Sequence, residues 1–382
     1  MSAHAVLSPS SAGRWMACTP SARLEQQFPD KSGEAALEGV LAHALAEQML
    51  RSLTSGKQEP YDEALTELGK DRLFSPDMLS HVESYVSYVE SRLLEARKST
   101  PDAILFIEQS LDLSSIIPEA FGTADAVVIA DGTMEVIDLK FGKGVPVSAV
   151  DNRQMMLYAL GAIHIFGLAY DIQNVLMTIY QPRLGNISSF EMTAGDLAIW
   201  SEQVLVPKAR LAFAGEGDFV PGDHCRFCKA RAQCKAFADQ NLVLAQHDFK
   251  DHTLLSDNQV SSILLLADQF KRWLSDIEEY ALNAALETGR QWPGLKLVEG
   301  RSVRTWTSQD DVALALVNAG IPEAVIYERK LLGLTAMEKV LSKKTFNELL
   351  SGLIVKPQGK PALVPLADKR PALNSASDDF AP

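Results

Sequence analysis

Apolar residues recur along the chain first at helical spacing, then at strand spacing, and then at helical spacing again. Apolar positions three and four residues apart predict helices over residues 33–53 and 76–98. Shorter apolar or alternating runs, separated by turn residues, predict strands over residues 104–109, the two arms of a hairpin around Asp131-Gly132, residues 175–181 and residues 188–192. Further helices are predicted over residues 148–166 and 194–214. This part of the chain therefore indicates a single α/β unit.

The helical spacing resumes after residue 240. A long amphipathic helix is predicted over residues 256–288, a short strand within 292–306, and two or three short helices within 308–352. From residue 356 the chain is rich in Pro, Ala and Ser, which is typical of disordered segments. We therefore predict an α/β domain over 1–240, a mainly helical accessory domain over 245–355 and a disordered tail over 356–382.

The composition is that of an ordinary globular protein. The 382 residues, of which 47% are hydrophobic, suffice for two domains with buried cores. We expect no membrane span, because no apolar run reaches the roughly 18 residues that a bilayer requires. The first residues lack the basic and apolar segments of a secretory signal, so a cytoplasmic protein with reduced cysteines is expected.

The net charge of −13 argues against a protein that binds nucleic acid over its whole surface. Binding depends on local charge, however, and residues 140–235 carry ten Lys or Arg against eight Asp or Glu. Charge therefore permits nucleic acid as a substrate without indicating it.

The dipeptide Asp131-Gly132 is a strong signal for a two-residue hairpin loop between two apolar runs. In that register Ala130 pairs with Thr133. Counting back along both arms places Asp125 directly opposite Asp138, with Cβ atoms about 4.5–5.5 Å apart. Opposed like charges destabilise a sheet, and more so among the Val and Ile residues that flank this pair. A bound cation would remove the repulsion, so the hairpin predicts a metal site.

Lys140 adds a cation to the same face of the strand, two residues after Asp138. The carbonyl of Leu139, between them, stays available as an oxygen ligand. Two carboxylates, a carbonyl and waters suit Mg²⁺ or Mn²⁺. The lysine would orient or deprotonate an attacking water, or stabilise the charge that develops on a phosphate. An isolated Asp-x-Lys is usually an exposed ion pair, but the apolar faces of this hairpin favour the metal site.

Four further residues are weaker candidates for the site. Gln154 and Tyr158 are four apart in a predicted helix and share a face, where an amide and a phenol suit a phosphate or a catalytic carboxylate. His43 is a candidate metal ligand, although its spacing alone favours an ordinary surface or core histidine. Glu108 ends an apolar run, and an ordinary strand-end carboxylate is the favoured interpretation there.

The four cysteines occupy two places, with Cys18 near the start and Cys225-x2-Cys228-x5-Cys234 far downstream. Zinc sites usually combine two separated Cys-x2-Cys pairs, so this pattern is less typical of zinc. It is compatible with a 4Fe–4S cluster held by four thiolates. Such a cluster would staple the N-terminal arm to the end of the first domain. Zinc in the same ligands is the main alternative, and the close spacing of three cysteines argues against unrelated thiols.

Taken together, these motifs resemble the RecB-like branch of the PD-(D/E)xK nucleases over roughly residues 5–240. Each motif is weak singly, and the specificity lies in their joint order. The shared pattern consists of Gly39-x3-His43, Gly122-x2-Asp125, Asp138-x-Lys140 and Gln154-x3-Tyr158. With the cysteines added, the chain is similar to the iron–sulfur subgroup, which includes the AddB nuclease domain and the CRISPR-associated exonucleases, and to its phage- and prophage-encoded members.

The resemblance implies a restriction-endonuclease-like fold, in which helices flank a mixed central sheet. It implies a metal bound by His43, Asp125, Asp138 and the carbonyl of Leu139. It assigns catalysis to Lys140 together with the two carboxylates, and a supporting role to Gln154 and Tyr158. The family often has Glu at the position of Asp138, where the shorter carboxylate is a tolerated variant.

We therefore expect a metal-dependent DNA exonuclease that acts at DNA ends in phage recombination or replication. Its partners would be DNA and a phage single-strand-binding or recombination protein. One alternative is a catalytically silent DNA-binding or scaffolding module of the same fold, although the intact Asp125, Asp138 and Lys140 argue against it. Another is a zinc-stapled adaptor whose C-terminal helices recruit replication proteins.

Overall fold

The protein divides into two compact units. The computed structural model describes residues 5–29, 33–56, 59–245, 257–298, 306, 308–327, 331–341 and 343–354. The first unit comprises residues 1–255 and 269–280, and the second comprises residues 256–268 and 281–382. The predicted domain bounds stay a prediction, and the predicted disordered tail lies outside the described residues.

The first unit is built on one five-stranded sheet, which confirms a mixed α/β architecture with flanking helices. The strands are β1 (Ile104–Asp112), β2 (Phe121–Ala130), β3 (Thr133–Leu139), β4 (Asn174–Gln181) and β5 (Asn186–Thr193). They lie in sequence order, and each pair is antiparallel except β3 with β4, which is parallel. A parallel pair needs a crossover, and a helix between β3 and β4 supplies it.

Helices cover much of the remaining described chain. Those up to residue 245 are α1 (Ala12–Ala17), α2 (Ser21–Leu24), α3 (Glu34–Ser55), α4 (Glu59–Leu68), α5 (Pro76–Ser99), α6 (Arg153–Tyr170), α7 (Ala194–Trp200), α8 (Val206–Ala214) and α9 (Lys235–Ala245). The others are α10 (Asp257–Thr288), α11 (Gln309–Asn318), α12 (Glu323–Ile326), α13 (Leu334–Val340) and α14 (Lys343–Leu350). Within the described ranges, none of these helices has the length and apolar character to cross a membrane.

Helix α6 differs from its predicted bounds of 148–166. It begins at Arg153 because the side chain of Asn152 caps it, accepting the backbone N–H groups of Gln154 and Met155. It passes through Gly167, the residue after the predicted end, and ends where Asp171 adopts a left-handed conformation. A glycine inside a helix weakens the helix without ending it.

The short strand predicted within residues 292–306 is not present in the part of that segment that the structure describes. Residues 292–298 and 306 are neither helix nor strand, and residues 299–305 lie outside the described chain. The segment 308–352 contains α11 to α14, more helices than the two or three expected.

Two hydrophobic cores lie on opposite faces of the sheet. The α6 core packs one face against α1, α6, α7 and α8, and includes Trp15, Ala124, Val127, Val136, Met156 and Leu205. The α3–α5 core packs the other face, and includes Leu45, Tyr85, Val89, Ala126, Val128, Ile137 and Leu139. Strand β3 is buried on both faces along all but its first residue, and two of its buried residues, Glu135 and Asp138, are carboxylates.

Strands β1 and β2 exchange faces at one position. Ala124 and Ala126 are two residues apart and should share a face, yet they belong to different cores. On β1, Ile107 packs in the α3–α5 core and Leu111 in the α6 core. These residues are four positions apart, so a regular strand would place both on the same face. The β1–β2 pairing register is the same on both sides of Glu108 and Asp125. The side chains of both strands therefore change faces at the same position. Side chains at the exchange can therefore meet groups from both layers of helices.

The N-terminal segment packs tightly against the start of β2. A Cβ atom added at Gly122 would lie 2.9 Å from Cγ of Pro9 and 3.1 Å from Cε1 of Tyr158. Such distances force the neighbouring groups to move. Gly122 is thus a glycine because three elements meet there, and its replacement would displace the ring of Tyr158.

We expect Gly122→Ala to destabilise the protein by about 1–3 kcal/mol, as overpacked sites do. The control is Gly39→Ala within α3, where nothing lies within 4 Å of the added Cβ. There the better helix propensity of Ala should stabilise the protein by about 0.5–1 kcal/mol. Thermal unfolding of both variants checks this, and equal melting temperatures would contradict the steric role of Gly122.

Candidate functional site

Asp125 lies at the exchange of faces and is held from two sides. Its Oδ1 lies 3.1 Å from Nδ1 of His43, which α3 carries. Its Oδ2 accepts the backbone N–H of Leu139 at 2.7 Å. The Asp125 side chain thus accepts the N–H of a β3 residue, which in a regular β2–β3 ladder would be donated to a backbone carbonyl.

The predicted hairpin register is confirmed. Ala130 pairs with Thr133 and Ala126 with Ile137, so continuing the same count sets Asp125 against Asp138. The backbone ladder ends one pair short of these carboxylates, since Asp125 bonds to Leu139 with its side chain. The two strands separate there, as a site between them requires.

His43, Glu108 and Asp125 form a group of potential metal ligands. Each offers one ligand atom, and these atoms all lie within 4.8 Å of one another, which among the described residues holds for no other His, Cys, Asp or Glu group. Asp138 lies outside that group, and its role as a ligand and that of the Leu139 carbonyl stay predictions. Glu108 was the residue that sequence reasoning set aside.

The position of Glu108 has a structural origin. The β1–β2 register pairs Ile107 with Ala126 and Gln109 with Ala124, which sets Glu108 opposite Asp125. Glu108 has φ of 48°, an uncommon conformation for a residue other than glycine. Glu108 could have been predicted if the strand over residues 104–109 had been paired with the hairpin. The register of that pair then sets Glu108 opposite Asp125.

A second polar cluster surrounds Asp138. Lys140 Nζ lies 2.8 Å from Asp138 Oδ2 and donates to Gln154 Oε1 at 3.0 Å. The amide nitrogen of Gln154 donates to Asp138 Oδ1 at 3.2 Å and to the hydroxyl of Tyr158 at 3.0 Å. The structure thus brings all four predicted residues together, and Gln154 links the lysine to both of the others.

Burial and mutual repulsion shape the charges of the site. Burial lowers the pKa of His43, but the charge and hydrogen bond of Asp125 outweigh it and raise that pKa to about 9. Burial, followed by repulsion from Asp125, raises the pKa of Glu108 to about 7. Burial also raises the pKa of Asp138, against the opposing effect of Lys140. Negative charge is therefore held here at a cost that a cation would relieve.

The donor set fits a divalent cation. One imidazole nitrogen and carboxylate oxygens suit Mn²⁺ at least as well as Mg²⁺. Asp138 Oδ2 is buried and, although near Lys140, accepts no hydrogen bond of good geometry from any described residue. A buried carboxylate oxygen left in that state favours a cation close to it.

The four cysteines line one cavity in the first unit, beside Arg14 and Phe237. None forms a disulfide. Burial raises the pKa of the Cys18 and Cys225 thiols, and that of Cys228 to about 12. Their sulfur atoms do not approach one another as closely as the ligand atoms around His43.

Three hydrogen bonds hold the N-terminal arm, residues 12–25, against the segment 208–229. Lys208 donates to the carbonyl of Met16 at 2.8 Å, and Thr19 donates to the carbonyl of Glu216 at 2.6 Å. Glu25 is buried, pairs with Arg14 at 2.6 Å and accepts the N–H of Lys229 at 2.7 Å. These contacts bring Cys18 to the downstream cysteines.

A divalent cation should stabilise the protein against thermal unfolding. At a concentration one hundred times the dissociation constant, Mn²⁺ would add about 2.7 kcal/mol. Asp125→Asn removes a charged ligand and should abolish this gain. Asp131→Asn, in the exposed hairpin loop, should keep it. The test compares the melting temperature of each variant in Mn²⁺ with that in EDTA. An equal rise in melting temperature with Mn²⁺ in both variants would contradict the assignment of Asp125 as a ligand.

Comparison with known proteins identifies a family. One similar solved structure, titled "Crystal structure of SSO0001", is 15% identical and covers 57% of this chain and 95% of that chain. Its TM-score of 0.21 is too low to support a conclusion about fold or function. The sequence matches the family described as "Protein of unknown function (DUF2800)" over residues 4–371, and the chain belongs to that family.

Proposed function

We propose that this protein is a metal-dependent deoxyribonuclease, an exonuclease that acts on DNA ends and has a restriction-endonuclease-like fold. One observation carries the proposal. A ligand group of His43, Glu108 and Asp125 lies at the open end of a hairpin whose other arm presents Asp138 and Lys140. Ligands for a cation beside a fixed ammonium group are what phosphodiester hydrolysis requires.

His43, Glu108 and Asp125 would hold Mg²⁺ or Mn²⁺, with Asp138 and the Leu139 carbonyl as the further ligands that the resemblance suggests. The ion, when bound, would polarise the phosphate and lower the pKa of water. Removal of any of the three side chains would weaken the hold on the ion.

Lys140 is placed to act on the phosphate. Its Nζ donates to Gln154 Oε1 and lies 2.8 Å from Asp138 Oδ2, and these two contacts fix the ammonium. An ammonium group has three N–H donors, so it can also donate to a substrate oxygen. Gln154 uses both of its amide hydrogens, on Asp138 and Tyr158, so it positions the lysine and the carboxylate together. A fixed cation stabilises developing negative charge without having to reorient during the reaction.

The nucleic-acid substrate rests on different grounds from the metal. The resemblance to RecB-like nucleases supports DNA ends, and with them phage recombination or replication and a phage single-strand-binding or recombination protein as partner. The near balance of charge over residues 140–235, in a chain of net charge −13, is consistent with a local DNA path.

We further propose that the four cysteines hold a 4Fe–4S cluster, with zinc as the alternative. All four line one cavity, and none of them forms a disulfide there. A single zinc ion with Zn–S bonds of about 2.3 Å would draw its four sulfurs to about 3.8 Å from one another. A 4Fe–4S cluster, in which each of four iron atoms binds one thiolate, would hold the four sulfurs further apart than one zinc ion does.

Lys140→Ala should reduce cleavage of end-labelled DNA at least about 100-fold with Mg²⁺ or Mn²⁺ present, because it removes the charge beside the phosphate. Lys143→Ala is the matched control, since that lysine is exposed three residues further on. Circular DNA should be spared by the wild type if only ends are attacked. A wild type as inactive as Lys140→Ala on single- and double-stranded ends would instead support the silent DNA-binding module.

Anaerobically purified protein should contain about four iron atoms per chain and absorb broadly in the visible range. Cys228→Ser should lose both and melt at a lower temperature, because binding energy at such a site is also folding energy. Ser21→Ala, which alters a side chain lining the same cavity, should keep the iron. One zinc per chain and no visible absorption would establish the alternative.

A further inference from the structure

Tyr85 is a buried residue that the proposed chemistry does not use. It lies in α5, has no exposed surface and packs in the α3–α5 core. Its hydroxyl has no hydrogen-bond partner among the described residues. A buried hydroxyl left unpaired costs about 1–3 kcal/mol, and native proteins rarely tolerate one without a functional reason.

The ring of Tyr85 packs beside the strand that carries Asp138 into the candidate site. Its ring packs against that of Tyr180, with centroids 5.7 Å apart. Tyr180 pairs with Leu139, the residue between Asp138 and Lys140. Burial raises the pKa of Tyr85, and the charges of Asp125, then Asp138, then Glu108 raise it further. Tyr85 and Leu139 belong to the same core, and a phenol is a hydrogen-bond donor, so the hydroxyl can donate to a group bound in the site.

Tyr88 provides an internal comparison. It follows Tyr85 in the same helix and its ring also packs against Tyr180, with centroids 5.0 Å apart. Burial and then the charge of Glu135 raise the pKa of Tyr88, so this hydroxyl lies near a different carboxylate, which Arg92 neutralises at 2.6 Å. Two tyrosines thus share one ring partner, and Tyr85 alone of the pair is influenced by the site carboxylates.

We propose that Tyr85 is a further residue of the candidate metal centre, whose hydroxyl donates a hydrogen bond to an oxygen atom bound to the metal ion. That oxygen belongs to a water molecule or to the DNA phosphate. The inference rests on the proposed function. It accounts for a fully buried phenol that has no hydrogen-bond partner among the described residues and packs against Tyr180, which pairs with Leu139.

Tyr85→Phe tests the inference, because it removes one hydroxyl and keeps the ring against Tyr180. The metal-free melting temperature should stay the same or rise, since no hydrogen bond within the protein is lost. Mn²⁺ should bind about 10-fold more weakly in the absence of DNA if the oxygen is that of water. If it is a phosphate oxygen, Mn²⁺ affinity should persist while cleavage falls about 10-fold. Tyr88→Phe should match the wild type in both measurements.

If the Tyr85→Phe and Tyr88→Phe variants have the same Mn²⁺ affinity and the same cleavage rate, the inference is overturned. A wild type that neither binds Mn²⁺ nor cleaves DNA overturns the proposed function instead, so the two failures are distinct. A second measurement leaves the hydroxyl in place. The ¹³C resonance of the Tyr85 Cζ atom in the wild type should shift on addition of Mg²⁺ while that of Tyr88 does not, and the reverse would also refute the assignment.

Discussion

The structure of the site depends on the place where β1 and β2 turn over together. A regular pleat would confine Asp125 to one layer of the protein. The change of faces lets Asp125 contact His43 of α3. On the opposite face of the sheet, Gln154 of α6 contacts Asp138 and Lys140. The positive φ of Glu108 belongs to the same distortion. Strain of this kind persists because two well-packed cores fix the strands on either side.

Much of the architecture could be predicted because it follows from local pattern. The hairpin register came from one dipeptide, and the apolar periods located the strands and the long helices that surround the sheet. The start of α6 was missed because Ser148 and Asp151 are capping residue types as well as Asn152. In the site, counting along the hairpin set Asp125 opposite Asp138 with Lys140 on the same face, and counting along the helix set Gln154 beside Tyr158. The resemblance joined the two groups.

What could not be predicted requires contacts between distant segments. Glu108 enters the ligand group through the pairing of β1 with β2, and no residue near it in sequence marks that pairing. Tyr85 was recognised only as part of a helix face, because the direction of its hydroxyl depends on how α5 lies on the sheet. The resemblance supplied His43, whose spacing alone did not distinguish it from an ordinary histidine.

The contacts that hold the N-terminal arm impose an order on biosynthesis. Lys208 with Met16, Thr19 with Glu216 and Glu25 with Lys229 each join residues about two hundred positions apart. Closing a loop of that length carries an entropic cost that grows only slowly with its length, and one closure serves all three contacts. The arm therefore docks as a unit. On the ribosome it stays undocked until the segment around residue 229 has emerged, so residues 12–25 are buried only after about two hundred later residues have been translated.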